Sequence, residues 1–108
     1  MKRWNNSTTD ELFGAILQLK TKAEAKRFLR DLLTEDELVE FGNRWLAARL
    51  LARGISYAKI SARTRLSSTT IARVSKWLNK GMDGYKLILN RIANHHTHAS
   101  PVRKGVVL

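Results

Sequence analysis

Apolar residues recur along the chain at steps of three and four, the spacing that lines one face of an α-helix, and nowhere alternate over a run long enough for a β-strand. Leu12, Phe13, Ile16 and Leu17 make one such stripe; Ala25, Phe28, Leu29, Leu32 and Leu33 make a second. A Thr followed by Glu three residues later stands before each of them, Thr8 with Glu11 and Thr21 with Glu24, and Thr34 with Glu37 repeats the pattern. In such a capping box the hydroxyl accepts from one free backbone N–H and the carboxylate from another, so three helices are predicted to start at these threonines. The third, roughly residues 35–53, sets Leu38, Phe41, Trp45 and Ala48 beside Gly42 and Leu46 and adds Leu50 and Leu51. It is apolar around much of its girth, as a central helix is, and Gly54 supplies the left-handed residue that ends it.

Two shorter helices are predicted over about 57–64 and 68–79, joined by a break with room only for a tight turn. Gly81 and Gly84 then bracket Asp83, and Tyr85, Ile88, Leu89 and Ile92 predict a last amphipathic helix. From Asn94 the periodicity is lost and the single proline appears, so residues 94–108 are expected to form a flexible tail. Residues 1–9 are expected to be an N-terminal arm, and 10–93 one all-α domain of six helices.

Composition narrows the class. The 108 residues suit a single core of modest size. There is no cysteine, which excludes disulfides, thiol nucleophiles and thiolate zinc sites and fits a cytoplasmic protein. No apolar run approaches a signal h-region or a membrane span. The formal net charge is +11, and it is unevenly placed: residues 1–40 hold seven bases against eight acids, residues 41–108 thirteen bases against Asp83 alone. A surplus of that size attracts polyanions, with nucleic acid first among them. The first part reads as scaffold and the second as contact surface.

Inside the basic part, residues 56–79 have the spacing of a helix-turn-helix. Ile60 points to the core, Ser61 is small enough for a second helix to cross it, and Leu66 plugs the turn. Ser67 caps the second helix with Thr70 three residues on, and Ile71 returns to the core. Arg65 occupies the turn position usually given to Gly, at a cost of order 1 kcal/mol for a left-handed backbone. This register leaves Ser68, Thr69, Ala72, Arg73 and Lys76 on or near the outer face, where short groups reach base edges and basic groups reach phosphates. With Ser67 and Thr70 at the start of the helix they form the candidate DNA-binding set. Arg73 and Lys76 contact DNA or simply solvate the helix; Arg44 is a ligand arm or a partner for Glu40 one turn back.

The run from Leu32 to Leu78, with its LLT-x-D-E opening, the Gly42-x-Arg44 step, the LL-x-RG-I-S entry and the T-I-x-R of the second helix, resembles the tryptophan-repressor superfamily in its small YerC/YecD-type branch. The likeness extends from about Asp10 to Ile92. It implies a six-helix intertwined homodimer with two recognition helices in successive major grooves of duplex DNA. It also implies an effector pocket at Thr34, Arg44, Thr70 and Arg73: in the tryptophan repressor the indole lies between the two arginines, and the threonines stand near the ligand. The glycine after the second arginine is Val74 here, and a small serine position is Trp77. Both put bulk where the indole and its amino acid group would lie, which argues against free tryptophan and leaves Trp77 itself as the plug. No cofactor is implied.

The expected function is that of a sequence-specific, homodimeric transcription regulator, a repressor. The alternative is a basic interaction module that binds RNA or an acidic protein, or DNA without sequence preference. A reader of DNA needs Ser68, Thr69 and Ala72 uncovered, whereas a packing module buries them. No catalytic constellation is present, so the chain is not expected to be an enzyme. His95, His96 and His98 have no carboxylate beside them and are not expected to hold a metal.

Overall fold

The computed structural model describes the backbone of residues 2–99 and the side chains of residues 2–95. Within them the chain forms α1 (Ser7–Ile16), α2 (Lys22–Leu32), α3 (Glu35–Ala52), α4 (Tyr57–Thr64), α5 (Ser68–Lys80) and α6 (Gly84–Ala99), and no strand. The all-α class and the six helices are as the apolar spacing predicts. Contacts divide the chain into two compact units after Glu40, inside α3.

In the first unit, α1 is capped by Asn6 and not by Thr8. The Asn6 side chain accepts from the Thr9 N–H at 2.9 Å, and the Thr9 hydroxyl accepts from the Asn6 N–H at 3.1 Å. The Asn6 amide also donates to the Arg3 carbonyl at 2.7 Å, and the Thr9 hydroxyl donates to the Trp4 carbonyl. An amide that both accepts and donates satisfies groups on either side of the helix start, which a threonine two residues later does not reach. The expected arm therefore ends at Asn6. Trp4 folds back edge-on to Phe13, ring centroids 6.4 Å apart.

The other two caps match the sequence pattern more closely. Thr21 accepts from the Glu24 N–H at 3.1 Å while the Glu24 carboxylate takes the Lys20 N–H at 2.9 Å, one residue earlier than in a full box. Thr34 and Glu37 form the full reciprocal box, at 3.1 and 2.9 Å. Arg30 joins α2 to the start of α3, donating to the Leu33 carbonyl at 3.0 Å and lying 3.4 Å from Glu35. Both side chains of that ion pair are exposed, so it contributes little. No residue of α1 or α2 is buried.

The second unit holds the core. Ala47, Ala48 and Leu50 of α3, Ile60 of α4, and Ile71 and Val74 of α5 form one buried cluster, rimmed by Trp45, Leu46, Leu51, Ile55, Leu66 and Tyr85. Burial in α3 is thus confined to its second half; Val39 and Phe41 are exposed, although the pattern makes the whole helix look central. Gly54, at φ 79°, ends α3: its N–H donates to the Leu51 carbonyl at 3.0 Å and the Ile55 N–H to the Leu50 carbonyl at 3.1 Å. These two hydrogen bonds satisfy two terminal carbonyls and turn Ile55 toward the core.

At the other end, α6 continues through Ala99, beyond the boundary expected at 93. Extending a formed helix costs far less than starting one, so loss of apolar periodicity does not by itself end it. The rest of the expected tail, residues 100–108, lies outside the described residues.

Candidate nucleic-acid interface

The pair α4 and α5 pack on each other across a three-residue turn. Ser56 caps α4, accepting from the Lys59 N–H at 3.3 Å. At its end Arg65 stands in the left-handed region, φ 61° and ψ 13°, as the missing glycine predicts, and its N–H donates to the Ser61 carbonyl at 2.7 Å. Two hydroxyls satisfy the rest of the turn. Ser61 donates to the Leu66 carbonyl at 2.9 Å; Thr64 donates to the Ile60 carbonyl at 2.8 Å and accepts from the Leu66 N–H at 3.2 Å. Thr64 is only 2% exposed, the sole buried polar residue among those described. In sequence Ser61 stands out for its size and Thr64 not at all; the signal is two hydroxyls in the last turn of a helix, where backbone groups lack helical partners.

The second helix is anchored by Ser67, whose hydroxyl accepts from the Thr70 N–H and donates to the Thr70 hydroxyl, both at 3.1 Å. Ser67 and Thr70 thus bond each other and build the helix end. Ile71, Val74 and Leu78 face inward. Ser68, Thr69, Ala72, Arg73 and Lys76 are all exposed. They form one stripe on the side opposite the core, with three short side chains in the first turns and two long basic ones beyond. Residues 57–80 carry Lys59, Arg63, Arg65, Arg73, Lys76 and Lys80 and no acid, so nothing within the pair neutralises its positive field.

The six effector positions are distributed differently. Thr34 lies in the first unit, where its side chain serves the cap of α3. The other five are in the second unit. The Arg44 guanidinium lies over the Phe41 ring, 5.6 Å from its centre. It also acts on Tyr85, which stacks on Trp45 at 6.2 Å: burial raises the Tyr85 phenol above its usual value and the charge of Arg44 pulls it part of the way back. Thr70 is half-buried and Arg73 exposed. Val74 is wholly buried in the core, whereas Trp77 is 44% exposed. The side chains of His96 and His98 lie outside the described residues, and so does any metal reading of the three histidines.

The family model described as Trp repressor protein matches residues 7–93. The chain is 41% identical over 91 residues to the uncharacterized protein YerC of Bacillus subtilis strain 168, covering 84% of this chain and 88% of that one. Among solved structures it is similar to a TrpR-like protein of Eubacterium eligens, with TM-score 0.80 and 34% identity over 84% of this chain and 94% of the other. A Trp-repressor-type protein of Staphylococcus aureus superposes with TM-score 0.79 at 33% identity, over 86% and 96% of the two chains.

Proposed function

Because the chain belongs to the Trp repressor protein family, we propose that it is a sequence-reading regulator of transcription, a repressor, which binds duplex DNA as a homodimer with α5 in the major groove. The observation that carries this reading is the uncovered stripe Ser68, Thr69, Ala72, Arg73 and Lys76 on a helix whose opposite face is core. A helix kept only for packing has no reason to leave its short residues bare at the end nearest a tight turn. Arg73 and Lys76 take phosphates or guanine edges, and Lys59, Arg63 and Arg65 add charge from α4 and the turn. The apolar side chains left exposed on α1, Phe13 and Ile16, with Leu17 at its C-cap and Leu32 of α2, supply a surface for a second copy. No helix among the described residues is long and apolar enough to cross a membrane.

Free tryptophan is not the effector on this reading. Val74 fills space within the core beneath α5, and the indole of Trp77 stands beside Arg73 on the same helix. The regulator reads DNA without an amino acid corepressor.

The test is the variant Arg73→Ala with Lys76→Ala, compared with the parent by fluorescence anisotropy on promoter duplexes at several salt concentrations, with and without tryptophan. In the homodimer the double variant loses four phosphate contacts, two from each subunit, which lowers the slope of log affinity against log salt by about 4 and weakens binding by roughly tenfold or more. A folded double variant with unchanged affinity and slope overturns the assignment of α5. Tighter binding by the parent in tryptophan overturns the effector-free reading.

A further inference from the structure

The stripe on α5 has a restricted chemical vocabulary. Adenine is read in the major groove by paired donor and acceptor groups of Asn or Gln, cytosine by the carboxylates of Asp or Glu, and guanine by Arg or Lys; thymine is read through its methyl group by small apolar side chains. α5 has no Asp, Glu or Gln. Its one Asn is Asn79 in the last turn, whose amide donates to the Ser75 carbonyl at 2.8 Å. The hydroxyls of Ser67 and Thr70 bond each other. Ahead of Arg73, the exposed groups left to tell one base from another are the hydroxyls of Ser68 and Thr69, which suit any base, and the methyls of Thr69 and Ala72. Thr69 and Ala72 are three residues apart, neighbours on the helix surface, so their methyls form one small apolar spot amid polar groups.

We propose that α5 reads thymine by its methyl group, through Thr69 and Ala72, so that each half-site of the bound duplex contains at least one thymine contacted at C5. This rests on the reading of the chain as a major-groove binder and names what that groove must contain. Arg73 and Lys76, one turn on and long enough to reach either target, add guanine or phosphate contacts beyond it. The short side chains matter twice: they carry the methyls, and they let the start of the helix approach the base edges closely.

The full chain is first used to enrich binding duplexes from a random-sequence library. Each enriched thymine is then replaced by dU, which removes only the C5 methyl and leaves pairing unchanged. The parent binds the dU duplex about fourfold less tightly for each contacted methyl, the value of burying one such group. Thr69→Ser keeps the hydroxyl and removes one methyl, and Thr69→Ser with Ala72→Gly removes both; helical circular dichroism checks that the double variant is folded. It shows no difference between dT and dU duplexes. Equal binding of dT and dU duplexes by the parent overturns the inference while enrichment of a sequence leaves the DNA-reading function standing, and so does a folded double variant that keeps the parent's preference. Failure to enrich any sequence overturns both. Since the dU comparison uses the unaltered protein, it decides the matter even where the double variant does not fold.

Discussion

The turn between α4 and α5 is held by one strained residue and two hydroxyls, and substitution there should move stability in opposite directions. Thr64→Val keeps the shape of the side chain but strips the Leu66 N–H of its partner. Leaving a largely buried donor unpaired costs about 1–2 kcal/mol, read as a lower urea midpoint. Arg65→Gly removes a side chain from a backbone with φ 61°. Relief of the left-handed conformation, about 1–2 kcal/mol, exceeds the extra unfolded-state entropy of glycine, so stability rises by roughly 0.5–1 kcal/mol and the urea midpoint rises with it. The two residues were unequally legible in the sequence. Arg65 is visible as a departure from the residue a tight turn asks for, whereas Thr64 is a small polar residue among others whose burial depends on where the chain goes next. The candidate stripe was legible for the same reason as Arg65: once Ile60, Leu66 and Ile71 are assigned inward, Ser68, Thr69, Ala72, Arg73 and Lys76 have only the outer face left.

Helix type and order follow from apolar spacing, but helix ends follow from local polar chemistry, where several residues compete for one role. α1 shows this. Thr8 with Glu11 fits the capping pattern, yet Asn6 with Thr9 forms the box, because the Asn6 amide serves a donor ahead and a carbonyl behind it at once. Asn6→Ala therefore lowers the thermal midpoint in line with a loss of about 1 kcal/mol, while Thr8→Ala leaves it unchanged. The reverse ranking, measured by scanning calorimetry at one protein concentration, would place the cap where the sequence pattern puts it. At α6 no such competitor exists: helical backbone continues past Asn94 to Ala99 without an apolar stripe to announce it. α3 fails differently. Its apolar girth is real, but only Ala47, Ala48 and Leu50 are buried within the chain.

At the scale of the molecule, two divisions coincide. The chain parts into compact units after Glu40, and its charge changes character at the same point, from nearly balanced to strongly basic. The second unit has a buried core; the first has helices with clear apolar stripes and no buried residue in α1 or α2, with Leu17 81% exposed. Stripes left only partly covered within their own unit gain further stability when something else covers them. If the cover is a second copy, folding and association are one equilibrium, and the thermal midpoint depends on concentration. For two chains of this length unfolding together, a tenfold rise in protein concentration raises the midpoint by about 3 °C. Leu17→Glu, placing a charge at the exposed C-cap of α1, lowers the midpoint and flattens that dependence, while sedimentation velocity shows a species of half the mass. A midpoint that stays fixed over a hundredfold range of concentration overturns the homodimer, and it would leave the stripe on α5 to act in a single copy. Such a monomer would read one half-site, so two-fold symmetry in the enriched DNA is the independent mark of the dimer.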